Sequence, residues 1–275
     1  MWIDLNILVE YKIWKILFKW PIKHLYQLCS SFVFVLSLFY YRQKPAQCLH
    51  LFALNLKVER HMKQFMILLF LVSSIMLFYS CQSVQKVACV GDSITEGDGL
   101  KDRANEAYPA ILSKELGKKY RVLNFGQSGA TLLKKGDRPY WEKVAFKNVL
   151  TYEPDVIIIQ LGTNDSRLQN ILSHPGEFVN DLRAMVDSFQ SLPSRPRIYL
   201  CKPVPSIENR YQIIDSVLVA DVIPAIDQVA IERKCDVIDL YGAFVNKMNL
   251  FPDGVHPNKE GAMQVAEIIA RSINK

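Results

Sequence analysis

The stretch PDVIIIQLG, residues 154–162, decides the fold. Three of its residues are isoleucine and one is valine, in one unbroken run over 156–159, so neither face of the segment is polar. The run is too short for a helix. It is bounded by Pro154 before and Gly162 after, which marks a strand buried on both faces. Such a strand belongs at the centre of a parallel sheet with helices packed above and below.

Working outward, the same kind of short apolar run recurs. KVACVGD (86–92), RVLNFG (121–126), RIYLCKP (197–203) and CDVIDLY (235–241) read as further strands. Between and after them, residues 106–118, 140–152, 177–190, 215–234 and 258–273 carry helical spacing of apolar residues, the fourth interrupted at Pro224. Alternating strands and helices predict an α/β fold: a three-layer α/β/α sandwich around a five-stranded parallel sheet, forming one domain over residues 82–275. Right-handed crossovers put every strand-to-helix loop on the carboxyl edge of the sheet.

The first 80 residues are a different kind of polypeptide. They hold 9 of the 33 Lys+Arg but 3 of the 27 Asp+Glu, so the formal net charge of +6 belongs to them and the remainder is balanced at 24 of each. A balanced domain offers no footprint for a phosphate backbone, and no nucleic-acid partner is expected. All 12 glycines lie at or beyond Gly91. From Met62 the chain reads MKQFMILLFLVSSIMLFYSC: a positive start, an uncharged apolar run over 65–79, then Ser80 and Cys81. That order is the pattern of a secretory signal. With cysteine after the small residue it resembles a bacterial lipoprotein signal over 62–81, Cys81 being the lipid-modified residue and the anchor in the cell envelope. Left uncleaved, the same run would be a signal anchor. Residues 1–61, with a second apolar run over 25–41, are read as an extension upstream of a true start at Met62. Cys89, Cys201 and Cys235 sit in or beside strand-like runs and are expected to be core thiols rather than disulfides.

The expected carboxyl-edge loops carry small polar residues beside glycine: GDSITEG after the first strand, NFGQSGAT after the second, LGTNDS after the third and FPDGVHP after the fifth. Ser93, Gly126, Asn164, Asp253 and His256 can therefore meet in one cleft. Together they supply what acyl transfer needs. A serine hydroxyl is a weak nucleophile until a base takes its proton, and histidine titrates near neutrality. Asp253, three residues before His256, can hold one ring nitrogen while the other faces Ser93. The N–H groups of Ser93 and Gly126 and the amide of Asn164 can receive a tetrahedral oxyanion. Pro257 can begin the last helix, fixing the chain after the base.

On these residues the chain resembles the SGNH hydrolases, also called GDSL esterases and lipases. Their four blocks match as GDSI (91–94), the glycine of NFGQSG (126), GTND (162–165) and DGVHP (253–257), with Ile94 where the name-giving motif has leucine. The resemblance implies a flavodoxin-like sheet and a carboxylic ester hydrolase. It also implies Ser93 as nucleophile, His256 as base, Asp253 as its orienter, and Ser93, Gly126 and Asn164 as oxyanion donors.

The motifs do not name the ester. TLLKKGDRPYW (131–141) places Lys134, Tyr140 and Trp141 where they can border the cleft, and an exposed aromatic ring suits a sugar face; the alternative is that Tyr140 and Trp141 begin a helix and point into the core. Asp92 and Asp165, beside the motif residues, are further candidate substrate contacts. The stretch resembles the exported carbohydrate-esterase branch, including sialate O-acetylesterase-like proteins, which implies removal of O-acetyl groups from glycans. The alternatives are a lysophospholipase or thioesterase acting on longer chains, and a glycan-binding surface lipoprotein without catalysis. No cofactor is expected, and His174 and His256, far apart and without an acidic cluster, make no set of metal ligands.

Overall fold

The computed structural model describes Gln64, Ile67, Leu68 and residues 84–274. The expected extension over 1–61, most of the signal over 62–81 and Cys81 lie outside the described residues. Five strands form one all-parallel sheet: β1 Gln85–Gly91, β2 Tyr120–Gly126, β3 Val156–Gln160, β4 Arg197–Lys202 and β5 Asp236–Asp239, in the order β2-β1-β3-β4-β5. The apolar run over 156–159 lies in the central strand, β3, which is buried along its whole length.

Five helices cover the sheet: α1 Tyr108–Leu116, α2 Val144–Tyr152, α3 Glu177–Gln190, α4 Ile223–Arg233 and α5 Lys259–Ile273. Strand side chains alternate between faces. Ala88, Val90, Ile157, Ile159, Ile198 and Leu200 pack with α2, α3 and α4. Val87, Cys89, Ile158, Tyr199, Cys201 and Ile238 pack with α1 and α5. Cys89, Cys201 and Cys235 are free, and burial pushes all three thiols up, Cys235 to about 11.

Three expected helices differ from their simple form, each for a local reason. The first is split: Arg103–Glu106 is one turn, Ala107 is extended, and α1 restarts with Pro109 in its first turn, where a missing N–H costs nothing. The second begins as a 3₁₀ turn, Tyr140–Glu142, then an extended Lys143, before α2. Before α4, residues Leu218–Val222 form a π-helical turn. Pro224 has no N–H to offer the preceding turn and its ring crowds the carbonyl four residues back, so the backbone widens there. The last helix starts two residues later than Pro257, at Lys259: Asn258 is its cap, the side chain accepting from Gly261 N–H at 2.9 Å.

Because β1 lies between β2 and β3, the chain leaves β1 and β3 in opposite directions. Their carboxyl ends part and open a crevice, the switch point of such sheets. Asp92 and Ser93 follow β1 at this crevice, and Gly162 to Asp165 follow β3.

Candidate active site

Ser93 opens the helical turn Ser93–Glu96, capped by Asp92, whose Oδ1 accepts from Ile94 N–H at 3.0 Å. Its hydroxyl oxygen lies 2.9 Å from Nε2 of His256, and His256 Nδ1 lies 2.7 Å from Asp253 Oδ2. Asp253 is anchored by its own turn: Oδ1 accepts from the N–H groups of Val255 at 3.0 Å and His256 at 2.7 Å. Burial alone would raise this carboxyl, but the backbone and ring hydrogen bonds outweigh it and hold it down at about 2. Asp253 is therefore ionised at any working pH. A carboxylate on Nδ1 keeps the proton on that nitrogen and leaves Nε2 free to accept one from serine.

The cleft in front of Ser93 has a volume of about 170 Å³ and is lined by Asp98, Ser128, Gly129, Arg138, Asn164, Arg167 and Tyr211 together with the serine and histidine; Ile213 and Val255 are its aliphatic lining residues. Asn164 is clamped on both sides. Its Oδ1 accepts from Arg167 Nη2 at 2.8 Å, so its NH₂ faces away from that guanidinium and donates to Ala130 O at 3.0 Å, with one N–H left over. Arg167 is itself held by Asp137 at 2.9 Å and by Tyr211 O at 3.1 Å.

The expected role of Gly126 is corrected. Its N–H is already spent on Asn124 Oδ1 at 2.8 Å, and its Cα faces the nucleophile turn so closely that a Cβ would sit 2.2 Å from Glu96 N. Gly126 lets β2 pass that turn. The glycine that lines the cleft is Gly129, three residues on, with φ of +74°, and its N–H has no partner among the described residues. Ser93 N–H is free in the same sense. Two backbone donors and the remaining amide N–H of Asn164 thus stand unpartnered, among the described residues, on residues that line the cleft of the serine.

The substrate contacts expected from sequence are corrected as well. Asp92 and Asp165 are fully buried. Asp165 accepts from Leu132 N–H at 3.0 Å and Leu133 N–H at 2.8 Å, fastening the loop that carries Gly129, and burial pushes its carboxyl up to about 7. Burial likewise lifts Asp92 to about 6, and its Oδ2 has no hydrogen-bond partner. Tyr140 is wholly buried, its hydroxyl donating to Phe125 O at 2.7 Å, and Trp141 packs on the core and donates to Leu132 O at 2.8 Å. Lys134 lies over the Trp141 ring at 4.4 Å and beside Asp181 at 3.6 Å. None of these five side chains lines the cleft.

Tyr211 and Arg138 line the cleft from loops that carry no sequence pattern. Tyr211 stands edge-on to the His256 ring, centroids 4.9 Å apart, and donates its hydroxyl to Asp253 Oδ2 at 3.1 Å. Arg138 reaches the cleft beside Gly129. Among the described residues, no group of histidine, cysteine and acidic side chains could hold a metal ion, and no helix is long and apolar enough to cross a membrane.

Comparison with known proteins fits this geometry. Residues 89–263 match the GDSL-like Lipase/Acylhydrolase family. The chain belongs to that family. A curated protein named acetylxylan esterase, from Xylanibacter ruminicola, is 39% identical over 206 residues. The match covers 68% of this chain and 43% of the relative, so the chain spans less than half of that protein's length. Two solved structures share the fold. A carbohydrate acetylesterase family member from Sinorhizobium meliloti has a TM-score of 0.56 at 24% identity, covering 69% of this chain and 97% of its own. The aryl esterase of M. smegmatis has a TM-score of 0.55 at 18% identity, covering 69% and 98%.

Proposed function

We propose that this acylhydrolase removes O-acetyl groups from carbohydrates by a serine mechanism. The observation that carries the reading is the unbroken contact chain Ser93 Oγ to His256 Nε2 at 2.9 Å and His256 Nδ1 to Asp253 at 2.7 Å, at the wall of a small polar cleft. Ser93 attacks the acetyl carbonyl carbon while His256 takes the hydroxyl proton. The oxyanion that forms receives hydrogen bonds from Ser93 N–H, Gly129 N–H and Asn164 NH₂. As the tetrahedral intermediate collapses, the ester C–O bond breaks and His256 gives its proton to the departing sugar oxygen. Water, deprotonated by the same imidazole, then releases acetate from Ser93. Asp253 stays ionised throughout and stabilises the imidazolium.

An acetyl group is favoured over a long chain by the cleft itself. A cavity of about 170 Å³ with Ile213 and Val255 as its aliphatic lining has no wall for an extended acyl tail. A more open depression of about 430 Å³, lined in part by Ser206, Asn209 and Asp215, adjoins the cleft at Ile213 and offers room for the rest of a glycan. The acetylxylan esterase relative supports xylan as the first polymer to try. Export and envelope anchoring through Cys81 remain part of this proposal on the strength of the signal-like run over 62–81.

The test is acetate release from acetylated xylan alongside hydrolysis of p-nitrophenyl esters from acetate to octanoate. Expected is activity highest on acetate and lost by at least a thousandfold in Ser93→Ala. Rates that climb with chain length, or a fully active Ser93→Ala, would refute the reading.

A further inference from the structure

The charges around the nucleophile divide into two kinds. Arg167 is paired with Asp137 at 2.9 Å, and Arg103 with Asp98 at 2.8 Å; Asp98 also accepts from the Ser128 hydroxyl. These groups are spent on the scaffold. Arg138 and Arg210 are exposed and have no carboxylate within ion-pair distance among the described residues. Arg210 lies across the ring of Tyr211 at 5.0 Å and donates to its hydroxyl at 2.9 Å. Arg138 lines the cleft directly, close enough to Gly129 that a Cβ there would approach its Nη1 to 3.0 Å.

Arg138 is also carried on fixed backbone. Its carbonyl accepts from Thr131 N–H at 3.0 Å, Tyr140 N–H donates to Thr131 O at 2.9 Å, and Thr131 bridges to the buried Pro139. A rigid base, a guanidinium without a carboxylate partner among the described residues and a place in the cleft beside Gly129 make a directed cation, set in a domain whose basic and acidic residues balance at 24 of each. The fork of a guanidinium matches a carboxylate in two parallel hydrogen bonds, which a lysine or a hydroxyl cannot supply.

We propose that Arg138 is a specificity residue that binds a sugar carboxylate next to the ester, so that the substrates of this site are O-acetylated glycans bearing uronic-acid groups. The inference rests on the deacetylase reading above and narrows it. A phospholipid phosphate would satisfy the same guanidinium, but its acyl chain has no wall to lie on. Arg210, farther out on Tyr211, adds to the positive field at the mouth and steers the same substrates.

The experiment compares kcat/KM for acetate release from an O-acetylated methyl glucuronoside and an O-acetylated methyl xyloside, in low and high salt, for the wild type, Arg138→Ala and Arg138→Lys. An acetylated glycerol phosphate forms a third arm. Expected is a preference of about tenfold or more for the acidic sugar over the neutral one, shrinking in high salt. In Arg138→Ala the ratio falls toward unity, chiefly through KM, and Arg138→Lys restores part of it. Equal rates of the wild type on both sugars, an equal loss on both in Arg138→Ala, or a preference for the glycerol phosphate would overturn the assignment. A wild type active on the neutral sugar alone would leave the deacetylase reading standing and remove this one; inactivity on every acetyl ester would remove both.

Discussion

Replacing Tyr211 by phenylalanine removes one hydroxyl and leaves the ring against His256. Asp253 then loses one of the four hydrogen bonds it accepts: Val255 N–H, His256 N–H and His256 Nδ1 stay, and the phenol goes. A hydrogen bond to a charged group contributes about 1.5–3 kcal/mol. At the solvent-facing side of Asp253, about a third exposed, water replaces much of it, leaving on the order of 1 kcal/mol. The sign follows from charge. Without the phenol the carboxylate is more negative, and the imidazolium form beside it is better stabilised. Arg210 works in the same direction, since it polarises the phenol and repels the imidazolium. At about 1.4 kcal/mol per pKa unit, the acid limb of kcat/KM for p-nitrophenyl acetate should move up by roughly half a unit in Tyr211→Phe. Arg210→Ala should move it the same way by less. The alkaline plateau should fall only a few fold. A limb that stays put or moves to lower pH would refute the reasoning, because a purely structural role for Tyr211 changes the plateau and not the limb.

Other substitutions follow from the same geometry. Asn164→Ala removes an oxyanion donor and should lower kcat by about a hundredfold or more, some 3 kcal/mol, with KM little changed; stopped-assay kinetics on p-nitrophenyl acetate will check it. Asp92 is lifted to about 6 by burial, so the folded protein keeps a proton that the unfolded chain has released. Its contribution to stability is complete below about pH 4 and is lost as pH rises through 6, on the order of 3 kcal/mol at most. Asp92→Asn keeps the cap on Ile94 N–H and cannot ionise, so its melting temperature should gain on the wild type between pH 4.5 and 7.5 in differential scanning fluorimetry. A gap that does not widen would remove that account of Asp92.

How far the sequence could be read follows from where each signal lies. The five strands are legible because apolar runs such as 156–159 have no polar face, and α3 matches its expected limits because its apolar spacing is clean. Asp253 and His256 are legible because their chemistry acts across three residues of one turn. Gly126 and Gly129 are not separable in NFGQSGAT: the deciding fact is that the Asn124 side chain turns onto Gly126 N–H, a matter of loop geometry rather than composition. Lys143 breaks the expected helix over 140–152, which turns Tyr140 inward onto Phe125 O. Tyr211 and Arg138 reach the cleft from loops without periodicity, where no pattern says which way a side chain points. Asp92 and Asp165 stand next to chemistry in the chain but face the core, and adjacency in sequence carries no direction.

The central claim is that Ser93 is the nucleophile and His256 its base. The most direct test is reaction of the protein with a dialkyl fluorophosphate, followed by mass mapping of the modified residue in the wild type and in His256→Ala. The account predicts one phosphoryl group on the peptide containing Ser93, formed quickly in the wild type and at least a hundredfold more slowly without the imidazole. Modification of a different serine, or labelling of Ser93 at the same rate in His256→Ala, would contradict it.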